Sequence, residues 1–346
     1  MKDLKFNKIL VIQTAFIGDA ILTLPLIQTL KERFPLSSID VVVVPRTSEI
    51  FSNHPAISTI HTYDKNGKEK GISAFWNLRN KLYRNAYDLV MVPHRSLRSA
   101  LLAWFLKSRM SIGFNRSTGR IMFTNVVRYE PLDHEIDRNL ALLSPLQLDA
   151  YKDILPKVFP SKEDIQIVNS LLERIELSIN HRIVTIAPGT IWFTKRWPAD
   201  RFSALCELLS EECDSILLIG GKEDSNLCEE IIGSTRKKRI LSFAGKLTLL
   251  QSAELIRRSK VLISNDSAPM HLAVAIGTPV IAIFGATVPE FGFSPRGPRN
   301  IVVERNGLSC RPCAIHGGNK CPIKTFECML SITHQLIAEK ALPFLR

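Results

Sequence analysis

Short, almost uninterrupted apolar runs alternate along the chain with segments whose apolar residues recur at helical spacing. The runs KILVIQ (8–13), IDVVVVP (39–45) and RIVTIAPG (182–189) are typical of strands covered on both faces. Helical spacing follows the first run, over 19–33, and ends before Phe34-Pro35. Strands that alternate with helices predict parallel sheets with right-handed crossovers, which places the chain in the α/β class.

The same alternation occurs twice, and 346 residues are enough for two domains. We predict an N-terminal domain over 1–160, a linker over 161–181, a C-terminal domain over 182–327 and one C-terminal helix within 328–346. Open, doubly wound sheets bind ligands where their strands end, at the point where strand order reverses. The loops after the strands are therefore the place to look for function, in a cleft between the two domains.

The chain has an excess of positive charge both before and after residue 150. It has 45 Lys and Arg against 33 Asp and Glu, a net charge of +12, and the first 150 residues hold 20 basic and 13 acidic side chains. Such a surface suits polyanions, including nucleotides, phosphorylated sugars and anionic membranes. The apolar start is short and interrupted by Asp19, and Gly277-Thr278-Pro279 breaks the most apolar long stretch. We therefore expect a cytoplasmic protein without a membrane anchor.

The first informative loop is 14–19, TAFIGD, directly after the first strand. One glycine is too few for a dinucleotide-binding G-x-G-x-x-G motif, and the chain contains no P-loop. Gly18 allows a ligand to approach the backbone closely. Asp19 has two interpretations, a helix N-cap favoured by the helix dipole, and a general base.

The second loop, 188–198, follows a strand and contains two hydroxyl groups and two adjacent cations. Thr190 and Thr194 can donate hydrogen bonds to a diphosphate, and Lys195 and Arg196 supply positive charge. The alternative is a solvated pair of cations beside an anchoring Trp197.

The third loop, 264–271, has the residues of a strong helix start. Asp266 or Ser267 can act as the cap, and Pro269 suits the first turn. The free N–H groups of a helix start bind anions, and this role is compatible with capping. His271, one turn further on, is either a packed core residue or a ligand contact.

Taken together, FIGDAILTLP, PGTIWFTKRWP and SNDSAPMHLAVAIGTPVIAIFG resemble glycosyltransferase family 9, the ADP-heptose:lipopolysaccharide heptosyltransferases. The segments PHRSLRSALLAWF and SIGFN, and the cysteines near the C-terminus, are most similar to the second subgroup. The resemblance covers nearly the whole chain. It implies a GT-B fold of two Rossmann-like domains and inverting transfer of L-glycero-D-manno-heptose from ADP-heptose to a heptose of the lipopolysaccharide inner core. The alternatives are the first heptosyltransferase subgroup, or a family member with another sugar or acceptor.

The resemblance also implies roles for individual residues. Asp19 matches the catalytic base, Lys195 the lysine on the donor phosphates and Glu223 the acidic residue near the ribose. The predicted donor-binding residues are Gly18, Thr190, Thr194, Lys195, Arg196, Glu223, Asp266, Ser267 and His271. A non-catalytic nucleotide-sugar-binding protein would not need the pairing of Asp19 with Lys195. A nucleotide-sugar 2-epimerase would not need an acceptor site.

We expect the acceptor on the N-terminal domain, where His94, Arg95, Arg98 and Arg120 are candidates for its phosphate and carboxylate groups. At least one of these arginines can instead lie on a solvated helix face. Exposed cations also predict peripheral contact with the cytoplasmic face of the inner membrane, where the lipid-linked acceptor resides. We expect no nucleic-acid partner, because no base-stacking motif or basic recognition helix is present.

Four of the seven cysteines lie close together in sequence, with the spacing C-x2-C-x7-C-x6-C: Cys310, Cys313, Cys321 and Cys328. This spacing permits a zinc site, with His316 as a further ligand, although a single C-x2-C pair is an incomplete zinc signature. In the cytosol the expected state is free thiols or a labile disulfide. No Asp-x-Asp motif lies near the loops, so we expect no required metal cofactor.

Overall fold

The computed structural model describes residues 4–65, 67–148, 153–178, 180–236 and 239–346. The chain divides into two compact units, Met1–Phe159 (unit 1) and Pro160–Arg346 (unit 2). Each unit contains one six-stranded sheet in which neighbouring strands run parallel, with helices between them.

Unit 1 contains five helices and six strands among its described residues. In chain order they are β1 (Lys8–Gln13), α1 (Ile17–Arg33), β2 (Ser38–Val43), α2 (Ser48–Phe51), β3 (Thr59–Thr62), α3 (Ile72–Tyr83), β4 (Leu89–Val92), α4 (Leu97–Phe105), β5 (Met110–Phe114), β6 (Asn125–Val127) and α5 (Glu135–Ala141).

Unit 2 repeats this pattern in its described part and adds two C-terminal helices. Its elements are α6 (Lys162–Arg174), β7 (Ile183–Ala187), α7 (Ala199–Leu209), β8 (Ser215–Leu218), α8 (Ser225–Gly233), β9 (Ile240–Ser242), α9 (Leu249–Arg257), β10 (Val261–Asn265), α10 (Ala268–Ile276), β11 (Val280–Phe284), β12 (Ile301–Glu304), α11 (Glu327–Leu330) and α12 (His334–Leu345).

The two sheets have the same topology. The strand order is β3-β2-β1-β4-β5-β6 in unit 1 and β12-β11-β10-β7-β8-β9 in unit 2, so each is the doubly wound 3-2-1-4-5-6 arrangement. The order reverses between β1 and β4 in the first sheet and between β7 and β10 in the second. The prediction of two doubly wound α/β sheets is confirmed, and these two switch points are where the fold places ligand sites.

The central strands form because their side chains are covered on both faces. All five residues of β7 and of β10 are buried, and the two strands pair in register, Val184 with Val261. In unit 1, Ile9 of β1 pairs with Ile39 of β2 and with Leu89 of β4, and all three side chains are inaccessible to solvent. Apolar burial of this kind is the main stabilising term for a parallel sheet.

The ends of unit 2 differ in detail from the expectation. Residues 162–174 of the predicted linker form α6, which Ser161 caps and which packs against α9; residue 179 lies outside the described part. The C-terminal segment forms two helices rather than one, because the Thr333 hydroxyl accepts the N–H of Leu336 and begins α12 anew. Among the described residues, no helix is both long and apolar enough to cross a membrane.

Candidate functional site

The switch point of unit 2 carries a buried ion pair. Lys195, from the loop after β7, places its Nζ 2.6 Å from Oδ2 of Asp266, the residue that follows β10. The Thr287 hydroxyl also donates to Asp266 Oδ2, over 2.6 Å. Both members of the pair have little solvent exposure, 14% for the Lys195 side chain and 8% for that of Asp266. The loops after two neighbouring strands therefore converge on one fixed ammonium group.

Trp197 anchors the end of the loop that carries Lys195. Its side chain is fully buried, and the indole Nε1 donates to the carbonyl of Ile332 over 3.1 Å. Its backbone N–H donates to Asn265 Oδ1, and Asn265 Nδ2 donates to the carbonyl of Pro188, so one amide ties both ends of the loop to β10. The loop is rigid at both ends because these groups are buried and paired.

The segment with the cysteines supports the same loop from the other side. Thr194 and Gly318 exchange hydrogen bonds, from Thr194 N–H to the Gly318 carbonyl and from Gly318 N–H to the Thr194 hydroxyl, at 3.0 and 2.8 Å. Gly317 has φ +83°, and a Cβ there would press on Lys195 Cγ. Thr194 therefore contributes to the position of Lys195 by holding the loop.

The remaining residues of this loop hydrogen-bond within it. The Thr190 hydroxyl donates to the Trp192 carbonyl over 2.6 Å, and the Arg196 guanidinium donates to the Thr190 carbonyl over 2.7 Å. Nε of Arg196 is buried and has no hydrogen-bond partner. Both threonine hydroxyls thus hydrogen-bond to the protein backbone, and the predicted binding of a diphosphate by this loop stays a prediction.

The helix α10 begins beside the ion pair. Ser267 is its N-cap residue, but the Ser267 side chain makes no capping hydrogen bond to the first turn, and its hydroxyl turns back to the Asn265 carbonyl. A helix start of this kind offers N–H groups and the positive end of the dipole to an anion. His271, on the second turn, is 4% exposed and lies in the core of unit 2.

The acidic residues after β8 divide into an exposed one and a packed one. Glu223 is exposed on a short 3-10 turn. Asp224 accepts the N–H of Gly221 over 2.9 Å, and its carboxylate occupies the place that a Cβ on Gly189 would take. Burial raises the pKa of Asp224. Asp224 therefore contacts the start of the Lys195 loop, a role that the sequence analysis missed although the spacing Gly-x-x-Asp is a capping signal.

In unit 1, Asp19 lies in the first turn of α1, at the switch point. The N-cap residue is Phe16, and Asp19 accepts the Phe16 N–H through Oδ2 over 3.2 Å. The N-cap interpretation of Asp19 was therefore wrong. The N-cap residue lies three positions earlier, and the Asp19 carboxylate accepts its backbone N–H from within the first turn of the helix. Gly18 precedes it in the same turn, with both residues partly exposed at the end of β1.

A second carboxyl group, Glu135, lies near enough to Asp19 to be influenced by its charge. It is 8% exposed at the start of α5, a helix that packs on α1 and is tied to it by a hydrogen bond from Asn139 Nδ2 to the Leu22 carbonyl. Glu135 forms a 2.7 Å ion pair with Arg138, which also donates to the Tyr129 hydroxyl. Burial and the neighbouring Asp19 carboxylate raise the pKa of Glu135 to about 7 despite Arg138.

A cationic cluster surrounds Thr14, the residue directly after β1. Nζ of Lys65 donates to the Thr14 hydroxyl over 3.2 Å, and Nδ1 of His94 lies 2.9 Å from the same oxygen. Arg98 donates to the Lys65 carbonyl. Burial and the charges of Lys65 and Arg95 lower the pKa of His94 to about 4, so its imidazole is neutral near pH 7. Burial, followed by the charges of Arg98 and Arg46, lowers the pKa of Lys65.

The other predicted arginines of unit 1 are exposed. Arg95 lies over the ring of Tyr129, with 4.2 Å from its guanidinium carbon to the ring centroid, and Arg120 lies on a 3-10 turn after β5. His94 and Lys65 contact the same Thr14 hydroxyl, and Arg98 donates to the Lys65 carbonyl. Arg95 instead contacts Tyr129, whose hydroxyl is bonded by Arg138, the ion-pair partner of Glu135. Lys65 and Glu135 were missed because only the fold brings them to this edge.

The cysteines give no metal centre in the structure. Among the described residues, no group of three or more His, Cys, Asp or Glu side chains is arranged to hold a metal ion, and Cys310, Cys313, Cys321 and Cys328 are free thiols. The alternative of a zinc site therefore finds no ligand group in the part of the chain that is described.

Comparison with known proteins gives consistent matches. Residues 75–320 match the family model of Glycosyltransferase family 9 (heptosyltransferase). Lipopolysaccharide heptosyltransferase 3 of Escherichia coli is 30% identical over 79% of this chain and 82% of its own length. Lipooligosaccharide heptosyltransferase 2 of Haemophilus ducreyi is 27% identical over 82% and 85%. The crystal structure of a family 9 glycosyltransferase from Veillonella parvula superposes with a TM-score of 0.89 at 23% identity, covering 99% of this chain and 98% of that one.

Proposed function

The chain belongs to glycosyltransferase family 9, the heptosyltransferase family, and on that premise we propose that it transfers L-glycero-D-manno-heptose from ADP-heptose to a heptose of the lipopolysaccharide inner core. The protein is a glycosyltransferase with the GT-B fold. The observation that carries the proposal is the ion pair of Lys195 with Asp266, which fixes a cation beside the start of α10.

In this proposal the donor diphosphate binds at the switch point of unit 2. Lys195 and the N–H groups at the start of α10 take up the charge that grows on the diphosphate as the bond to the sugar breaks. Asp266 does not face the diphosphate, because two anions repel, but positions the Lys195 ammonium. Arg196 supplies further positive charge, and the exposed Glu223, after β8, is the acidic group available to ribose hydroxyls.

Asp19 acts as the general base. Its carboxylate removes the proton from the acceptor hydroxyl, and the oxygen attacks the anomeric carbon from the face opposite the diphosphate, so that the anomeric configuration inverts. A carboxylate that accepts a backbone N–H is a weak base on its own. The Glu135 carboxyl group lies close to this base, since the Asp19 charge helps to raise the pKa of Glu135. No metal ion is needed in this scheme.

The cationic cluster of unit 1 binds the acceptor. Lys65, His94 and Arg98, with Arg95 and Arg120, present positive charge and hydrogen-bond donors where β1 and β4 end. Phosphate and carboxylate groups of an inner-core saccharide are the matching anions. We further propose that the enzyme works at the cytoplasmic face of the inner membrane, where a lipid-linked acceptor is displayed.

The second heptosyltransferase subgroup is our first choice of acceptor specificity, on the segments 93–105 and 111–115. The 30% identity to a heptosyltransferase 3 favours, as a second candidate, a family 9 transferase with another acceptor.

The test is incubation of the purified protein with ADP-heptose and core lipids that end in Kdo, in one heptose or in two heptoses, read by mass spectrometry. Addition of one heptose unit to the one-heptose core supports the first choice, and addition only to a two-heptose core supports the second candidate. No transfer to any of them, with ADP-heptose bound, contradicts the proposal.

A further inference from the structure

Unit 1 exposes an aromatic patch that the proposed reaction does not use. We define it as Phe75, Trp76 and Tyr83 of α3 with Trp104 and Phe105 of α4. The Phe105 ring centroid lies 4.8 Å from those of both Trp76 and Trp104. Trp76, Tyr83 and Trp104 are 39%, 43% and 53% exposed, so the rings pack on each other and still face solvent.

The pattern of α3 explains this exposure. Leu78 and Leu82 bury one face of the helix, whereas Ile72, Trp76 and Tyr83 recur at helical spacing on another face, with Ile72 80% exposed. Contiguous exposed apolar side chains on a folded unit indicate a binding surface.

The net positive charge of residues 1–150 lies in the segment 68–109, which contains α3 and α4. Residues 68–109 contain nine Lys and Arg and two acidic residues, whereas the other residues of 1–150 contain eleven of each. The two acidic side chains are engaged elsewhere: Glu69 accepts the N–H of Asp64, and Asp88 accepts those of Asn7 and Lys8. The segment that carries the aromatic patch is therefore strongly basic.

One cation is part of the aromatic patch. The Arg79 guanidinium lies over the Tyr83 ring at 4.1 Å and donates through Nε to the Phe105 carbonyl, 3.1 Å away. Lys107 and Arg109, which follow α4 directly, are exposed. Tryptophan and tyrosine rings flanked by cations are the side chains that favour the boundary between headgroups and acyl chains.

We propose that the aromatic patch is the surface by which the protein docks on a bilayer of anionic phospholipid. Trp76, Tyr83 and Trp104 enter the headgroup region, and Arg79, Lys107 and Arg109 pair with lipid phosphates. The docking proposal rests on the proposed function only for the identity of the membrane. It goes beyond that function because it names the protein surface that contacts the lipid. A protein partner fits less well, because exposed lysines are depleted at protein–protein interfaces and four of them lie in 68–109.

The test compares binding to sedimented vesicles of phosphatidylethanolamine containing phosphatidylglycerol with binding to vesicles of phosphatidylcholine alone. We expect the wild-type protein to bind the anionic vesicles and the double variant Trp76→Ser/Trp104→Ser to lose about tenfold or more in partition. Lys107→Glu/Arg109→Glu should lose about 25-fold or more, since each cation adds about fivefold near an anionic surface. The controls are Leu36→Ser, which removes a fully exposed apolar side chain elsewhere in unit 1, and Lys260→Glu in unit 2.

A second measurement uses the fluorescence of the wild-type protein and therefore does not require the serine variants to fold. Brominated anionic lipids should quench the fluorescence of the wild-type protein, and should quench it much less in Trp76→Phe/Trp104→Phe. Transfer to a delipidated core saccharide separates the two proposals, because it should be unchanged in the tryptophan variants. Equal binding to both kinds of vesicle, no quenching, or a concentration-dependent dimer that the double variant abolishes would overturn the docking proposal and leave the proposed reaction standing.

Discussion

Lys195 Nζ and Asp266 Oδ2 lie 2.6 Å apart, which joins the loop after β7 to the loop after β10 at the switch point of unit 2. A buried cation held by one carboxylate keeps a fixed position and is ready to pair with a second anion. The pair also explains why an acidic residue stands next to the helix start that we propose as the binding site of the diphosphate.

Replacing Lys195 by Met should reduce the transfer rate by about 100- to 1000-fold, because the leaving diphosphate loses its fixed cation. Asp266→Asn should have a smaller effect, since the ammonium remains but is free to move. Single-turnover transfer and calorimetric ADP binding measure the two contributions. Unchanged transfer by Lys195→Met would remove Lys195 from the mechanism.

Asp19→Asn should abolish measurable transfer while ADP binding stays within about twofold, because the amide cannot accept the acceptor proton. The amide oxygen can still accept the Phe16 N–H, so the cost in the free energy of unfolding should stay below about 1 kcal/mol. The matched control is Asp133→Asn, an exposed aspartate before α5. Transfer by Asp19→Asn at the rate of the control would refute the assignment of the base.

Because of Glu135, the free energy of unfolding should decrease as the pH rises from about 4.5 to about 7. Its folded-state pKa of about 7 lies above the unfolded value, so the folded protein holds the proton more tightly and is stabilised most below pH 4.5. The groups that act on it are Asp19, Arg138 and Arg95.

Glu135→Gln should remove this dependence. The difference in unfolding free energy between wild type and variant should shrink by about 3 kcal/mol between pH 4.5 and pH 8, as measured by urea denaturation. Comparing the two proteins cancels the opposite contribution of the buried histidines. A difference that is constant across this range would show that Glu135 ionises normally.

Gly317→Ala should lower the transfer rate by about ten- to a hundredfold. The new Cβ presses on Lys195 Cγ, and small displacements of a catalytic group are costly. Gly307→Ala is the control, because Gly307 has nearly the same φ of +79° but nothing within 4 Å of the added Cβ. Both variants should lose roughly 1–2 kcal/mol of stability from backbone strain, and only Gly317→Ala should lose activity. Equal activity in both would contradict the contact with Lys195.

Lys65→Ala should raise the KM for the acceptor about tenfold and leave the affinity for ADP unchanged, since Lys65 belongs to unit 1 and contacts Thr14. The neighbouring, exposed Lys68→Ala is the control. A change in donor affinity alone would place Lys65 outside the acceptor site.

The sequence predicted the central strands well and several edge strands not at all. The strands β1, β2 and β7 are largely buried on both faces and therefore have almost continuous apolar sequences. The strands β3, β6 and β12 lie at sheet edges, have exposed or half-exposed residues, and carry no comparable signal.

Of the site, the loops were predictable and the contacts between them were not. Local motifs identified Asp19 and Lys195, since each follows a buried strand and precedes a helix. Glu135 and Lys65 reach the sheet edge of unit 1 that carries Asp19 only through the packing of α5 on α1 and through the order of the strands. The pairing of Lys195 with Asp266 likewise depends on β7 and β10 becoming neighbours, which the sequence alone does not state.

The hydrogen bonds between Thr194 and Gly318 join residues 124 positions apart in the chain. During translation, Thr194 and Lys195 leave the ribosome long before Gly318, because Gly318 lies 124 positions after Thr194 in the chain. A transcript truncated before codon 318 would therefore yield a protein that contains Lys195 but lacks the two hydrogen bonds that hold its loop. The Lys195 loop therefore acquires these two hydrogen bonds only after Gly318 has been made.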